Sequence, residues 1–178
     1  LTIPNGQKLF DNAQKARSAS AGGSDGWLPV ELKYLPLRAW ELRAKLLPLY
    51  LEHARFPTAY TCLNTPCLPK KGEGSKPLDH RLLSVYSAVY RVEAGAWYTE
   101  LQPWLVKAAH KACSGGIAQR EPIEAAWDAI AQLENAMLYK KNVAMLSVDY
   151  FKFFDTFEPA FTRDMLLYLG FPHELAHA

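Results

Sequence analysis

Runs with helical hydrophobic spacing alternate along the chain with short glycine- or proline-rich interruptions. Between Trp27 and Arg55, Leu42, Leu46, Leu47 and Leu51 recur on one helical face, and Pro36 and Pro48 divide the region into shorter pieces. Residues 58–69 are rich in Thr, Tyr and Cys with two prolines, which predicts an extended segment at a sheet edge. Leu82 to Lys111 predicts one long helix or two abutting ones, with Pro103 as the candidate break. From Pro122, a residue tolerated in a first helical turn, the stripe Ile123, Trp127, Ile130, Leu133 and Met137 predicts an amphipathic helix. Val143 to Val148 is a short, nearly continuous apolar run between turn signals and predicts a strand buried on both faces. A further helix is expected from about Pro159 to Leu169, followed by Gly170-Phe171-Pro172 and a short final turn. The loops are Ser18–Trp27, Lys70–Pro77 and Cys113–Glu121. No internal repeat interrupts this order, and the fold class expected is α+β with helices dominant.

Composition narrows the class. The 178 residues are 49% hydrophobic and 21% charged, which excludes a disordered tail or a collagen-like repeat. Three cysteines, Cys62, Cys67 and Cys113, lack paired metal spacing and favour reduced thiols in an intracellular setting. No apolar stretch approaches the ~20 residues that span a bilayer, so no membrane partner is expected. The net charge of +2 hides an asymmetry, because residues 1–91 carry 13 basic and 7 acidic groups and residues 92–178 carry 7 and 11. A basic half beside an acidic half suits a polyanion on one side and a cation on the other, and chance variation produces the same imbalance.

Asp149 stands out chemically. It ends the predicted buried strand, where an ionised carboxylate needs water, a cation or hydrogen-bond donors. It is therefore a candidate Mg²⁺ ligand, and equally a candidate cap for the following turn. Asp155 lies six residues on, about 20 Å away if the strand continued at ~3.3 Å per residue, so the two would share a metal only across a sharp turn. No second strand ending in paired acids occurs in this chain, whereas a two-metal phosphoryl-transfer site needs further carboxylates.

The order of motifs adds a family resemblance. Leu146–Phe157, LSVDYFKFFDTF, resembles the first catalytic palm motif of reverse transcriptases, in which a strand-end Asp is followed five and six residues later by Phe-Asp. Leu68–Arg91 is similar to the fingers region of non-LTR retrotransposon and group II intron enzymes. Ser114–Ala129 resembles their Gly-Phe-Arg…Arg…Asp-Ala segment, and Ala21–Trp27 their Gly-Pro-Asp-Gly opening. Tyr168–Pro172 resembles the Gly-Ile-Pro after the first palm motif. The segments follow the family's order over nearly the whole chain. Departures are Arg81-Leu82 in place of Arg-Pro, Phe153 where a small residue is usual, and Gly23-Ser24-Asp25-Gly26 in place of Gly-Pro-Asp-Gly.

The resemblance implies the N-terminal part of an RNA-directed DNA polymerase: residues 1–142 fingers-like, residues 143–178 the start of the palm, truncated before the catalytic hairpin. It implies an RNA template, a DNA primer and a dNTP as partners, together with the remaining palm and thumb. Asp149 and the Tyr150 carbonyl would ligate Mg²⁺ in a two-metal site that is incomplete here. Lys70 and Arg81 would reach the triphosphate, and Phe154 would stand beneath the sugar and exclude a 2′-hydroxyl. Each also has an ordinary explanation: a solvated loop for Lys70, Lys71 and Lys76, pairing with Asp79 for Arg81, and core packing for Phe154.

A rival motif closes the chain. His173–His177, HELAH, matches the zinc-protease pattern His-Glu-x-x-His. Pro172 forces the helix to begin at the first His, whereas the protease motif sits inside a helix, and a catalytic zinc needs a third protein ligand. A non-catalytic nucleic-acid-binding remnant of a retroelement is the third reading.

Overall fold

The computed structural model describes residues 2–70, 80–150 and 157–177. Among them the architecture is mixed: helices, and one two-stranded antiparallel sheet. The chain divides into two compact units, Leu1–Glu100 with His173–Ala178, and Leu101–Pro172.

The first unit opens with α1 (Gly6–Lys15), a helix whose first turn is secured by Asn5. The Asn5 Oδ1 accepts from the Lys8 N–H at 3.0 Å, which satisfies one of the donors that a helix start leaves open. Leu9 and Ala13, one turn apart, are fully buried. The short helices α2 (Pro29–Leu32), α3 (Leu37–Ala44) and α4 (Leu47–Glu52) follow, with Pro36 as the cap of α3 and Pro48 in the first turn of α4. The prolines thus divide this region as expected. The leucine face is different from expectation: Leu47 is buried and Leu51 half-buried, but Leu42 and Leu46 are exposed, and Trp40 takes the core position. Dividing the region into separate helices breaks the single 3.6-residue register, so a face continuous in sequence is not continuous in space.

Residues 58–69 begin with one helical turn, α5 (Thr58–Thr61), before the chain extends into β1 (Cys67–Pro69). β1 pairs antiparallel with β2 (His80–Leu82), with Leu68 opposite Arg81 and Pro69 opposite His80. An isolated bridge between Asn64 and Val85 carries the pairing further from the hairpin end. Leu82 is therefore a strand residue, and the long helix α6 (Ala88–Ala108) starts six residues later. Ser87 explains the start: its Oγ accepts from the Tyr90 N–H at 3.2 Å and donates to Asp25 at 2.7 Å. α6 is continuous through Pro103.

The core of the first unit gathers Leu9 and Ala13 of α1, Leu32, Trp40, Leu47, and Ala88, Val92, Ala96 and Trp97 of α6. Leu175 of α9 (His173–His177) packs against it. Full burial of each large side chain contributes roughly 1.5–3 kcal/mol, so this cluster is the main source of stability in the unit.

In the second unit, Arg120 ties the loop after α6 to that helix's last turns, donating to the carbonyls of His110 at 2.7 Å, Cys113 at 3.1 Å and Val106 at 3.4 Å. α7 (Pro122–Leu138) and α8 (Pro159–Tyr168) form where periodicity predicts them. The stripe on α7 is nonetheless exposed, with Trp127 at 64% and Met137 at 79%. α8 ends in a paired closing motif: the Gly170 N–H bonds the Leu167 carbonyl at 3.0 Å and the Phe171 N–H bonds that of Leu166 at 2.9 Å. Gly170 has φ 81°, a conformation that costs a side-chain-bearing residue about 1–2 kcal/mol. Phe171 then meets the Trp104 ring edge-on at 5.2 Å, and the Trp104 Nε1 donates to the Leu169 carbonyl at 3.3 Å.

Val143–Val148 does not form the expected strand; these residues are exposed and without regular structure. An extended segment needs a neighbour to satisfy its backbone groups, and among the described residues the only ladder is β1–β2 with its adjoining bridge. No helix among the described residues is long and apolar enough to cross a membrane.

Candidate functional site

The β1–β2 hairpin positions two of the candidate residues. Side chains directly opposite in an antiparallel ladder share a face, so Leu68 and Arg81 lie on the same side. Lys70 lies immediately past the end of β1. Arg81 and Lys70 are both exposed, and His80 beside Arg81 is half-buried. Backbone bonds from Leu83 to Pro66 at 3.1 Å, and between Val85 and Asn64 at 2.8 and 3.3 Å, hold the register that sets this placement. The hairpin thus presents two exposed cations at one end of a short ladder. That arrangement suits an oligophosphate, which Arg meets with a planar fork and Lys with a point charge.

Asp149 and Tyr150 lie in the second unit, exposed and outside regular structure. Phe154 and Asp155 fall outside the described residues, as do Lys71 and Lys76. For Mg²⁺ the fit is partial. A hard cation takes one or two carboxylates alongside water and substrate oxygens, and an accessible Asp149 supplies one of these. The described residues contain no group of three His, Cys, Asp or Glu side chains able to hold a metal ion. His173 and Glu174 are exposed at the start of α9, directly after Pro172, and Leu175 between the motif's ends turns onto the core.

The Ala21–Trp27 segment, singled out for its glycines, has a visible structural role. Asp25 Oδ2 accepts from the Ser87 hydroxyl at 2.7 Å and the Val89 N–H at 3.2 Å. Burial works against the ionised carboxylate, yet these donors, with the backbone of Ala88 and Trp27, hold Asp25 below its ordinary range. A Cβ at Gly23 would stand 2.3 Å from the Tyr86 carbonyl and 2.6 Å from the Ser87 Cα, so only glycine permits this close approach. The Ser24 hydroxyl donates to the Cys62 carbonyl at 2.5 Å, and the Arg91 guanidinium to the Ala21 carbonyl at 2.6 Å. The loop fastens the N-terminal turn of α6 to the segment leading into β1.

A second group was not foreseen. Arg43 of α3 donates through Nε to Glu93 Oε1 of α6 at 2.5 Å, and through Nη2 to the Tyr60 hydroxyl. Tyr60 of α5 donates in turn to Glu93 Oε2 at 2.6 Å. Burial, reinforced by the Glu93 charge, pushes the Tyr60 hydroxyl well above its ordinary 10.0. Burial works against the Arg43 charge, but the Glu93 carboxylate holds that guanidinium protonated. Tyr50, Phe56, Tyr86 and Tyr90 surround the group, with Tyr60 and Tyr90 centred 5.1 Å apart. Glu93 was the available signal, as an acid inside the apolar run Ala88–Trp97. This network locks three helices together, which is a structural role. No family model and no curated protein sequence matches this chain.

Proposed function

We propose that the chain is a fingers and partial-palm portion of an RNA-directed DNA polymerase, whose parent transfers nucleotides from dNTP to a primer 3′-OH on an RNA template. The observation that carries the reading is the ordered series of motifs from Ala21 to Pro172, which includes Asp149 with Phe154 five residues on. The placement of Lys70 and Arg81 on a single hairpin supports it, because a triphosphate needs cations that lie near one another. The bonds of Ala21–Trp27 to the segments that flank the hairpin support it further, since a binding group acts only when its scaffold is rigid.

In this reading Arg81 engages two phosphate oxygens through its fork and Lys70 neutralises a neighbouring phosphate. Phe154 forms the floor under the sugar, which a 2′-hydroxyl would strike. Asp149, with the Tyr150 carbonyl, would hold Mg²⁺, and the metal supplies charge neutralisation on the phosphates. Asp149 would be one of the several carboxylates that such a site requires.

The test is an equilibrium titration of the 178-residue chain with dUTP and with UTP, which differ only at the 2′ position, in Mg²⁺. Wild type should favour dUTP. Arg81→Ala should weaken dUTP by about tenfold or more, the loss expected for a charged hydrogen-bonded contact. Phe154→Ala should raise UTP binding towards that of dUTP. Equal affinities in wild type, together with no response to Arg81→Ala, would refute the assignment.

A further inference from the structure

A cleft of about 250 Å³ lies in the first unit between the end of α1, the following turn and the first turn of α6. Its lining includes Lys15, Arg17 and Arg91 and no acidic residue. Among the described residues none of these three cations forms an ion pair. The C-terminal end of α1 accounts for Lys15, because a cation in a last helical turn offsets the exposed carbonyls. It does not account for Arg17, beyond the helix, or for Arg91, which comes from α6. Arg91 is half-buried and fixed by its bond to the Ala21 carbonyl, leaving its remaining N–H groups for another acceptor.

The floor differs from the rim. Ala88 and Val92 are 2% and 4% exposed, and Pro29 adjoins them. The Asn12 carboxamide and the Ser20 hydroxyl complete the lining, with Asn12 Nδ2 already committed to the Val92 carbonyl at 3.0 Å. A cationic rim over a small apolar floor with two neutral polar groups matches an anion attached to a hydroxylated, partly apolar body. The volume is below the ~300–1,000 Å³ of clefts that enclose drug-sized ligands, which restricts the occupant to a phosphate and the sugar it esterifies. From these features we infer that this cleft is a binding site for a ribose phosphate ester. The phosphate lies among Lys15, Arg17 and Arg91, and the sugar rests over Ala88 and Val92. The ester comes either from a free sugar phosphate or nucleotide, or from the backbone of an RNA strand. Occupancy of this cleft does not depend on the hairpin or on polymerisation.

The experiment is an amide-resolved NMR titration of the full chain with ribose 5-phosphate, with ribose, and with a ten-nucleotide single-stranded RNA. Ribose 5-phosphate is expected to shift the amides of Lys15–Ser20 and Ala88–Val92 saturably, at least tenfold more tightly than ribose. The exposed double variant Lys15→Gln/Arg17→Gln should weaken it tenfold or more. If only the RNA moves these amides, and the double variant abolishes the effect, the inference holds with a strand as the source. It is overturned if neither phosphate-bearing probe moves them, or if ribose binds as tightly. Shifts that survive in a folded double variant also overturn it, and should that variant unfold, the wild-type comparison of ribose 5-phosphate with ribose decides alone.

Discussion

Glu93 is 2% exposed inside a helix whose neighbours are apolar, and its charge is tolerable only because Arg43 and Tyr60 both bond it. Removing one partner of such a pair leaves an uncompensated buried charge, so Arg43→Ala should destabilise the chain by about 3–5 kcal/mol, measured by urea unfolding. Exposed Arg38, paired with Glu41 one turn away, should cost less than about 1 kcal/mol on the same substitution. The Tyr60 hydroxyl gives the network a pH signature. Its value is raised on folding, so its contribution is complete below the unfolded value of 10.0. Above that pH the unfolded chain releases the proton while the folded chain keeps it, and stability falls by at most ~1.4 kcal/mol per pH unit for this group. Tyr60→Phe should flatten the alkaline limb of a stability–pH curve, leaving the smaller slope due to Tyr50 and Tyr90, which burial also raises. An unchanged alkaline slope in that variant would contradict the arrangement.

At the scale of elements, α7 separates periodicity from burial. Its stripe makes the helix, yet Ile123, Trp127 and Met137 are 58%, 64% and 79% exposed. Trp127→Gln should therefore change stability in this chain by no more than about 0.5 kcal/mol, whereas Val92→Ala in α6 should cost about 1 kcal/mol or more. A large loss at Trp127 would show that the stripe packs after all. The same contrast explains what could be foreseen from the residues. α7 and α8 were legible because proline starts them and their apolar spacing is local. α1 was not, because its capping Asn5 and its buried pair Leu9 and Ala13 stand among polar residues. The Val143–Val148 strand failed because a strand depends on a neighbour that no local pattern reveals. The glycines of Ala21–Trp27 marked a loop, but the role of Asp25 at the start of α6 rests on a contact across 62 residues of chain. The candidate hairpin was visible as residue types, whereas the register that sets Arg81 opposite Leu68 was visible only in the fold.

At the scale of the molecule, the charge asymmetry takes on a location. The first unit holds both the hairpin cations and the cleft cations Lys15, Arg17 and Arg91, while Asp149 belongs to the second. Phosphoryl transfer needs phosphate-binding cations and several metal-binding carboxylates together, and the described residues contain no group of three His, Cys, Asp or Glu side chains able to hold a metal ion. In a primer-extension assay with an RNA template, the 178 residues alone should give no Mg²⁺-dependent incorporation, and any template-directed product would show that the site is already complete. The polymerase reading is tested most directly by sequencing the parent transcript past the codon for Ala178. The account predicts, within about a hundred in-frame codons, an apolar strand running into an aromatic-x-Asp-Asp hairpin that supplies the missing carboxylates. A nearby stop codon, or open frame without paired acids, would contradict it.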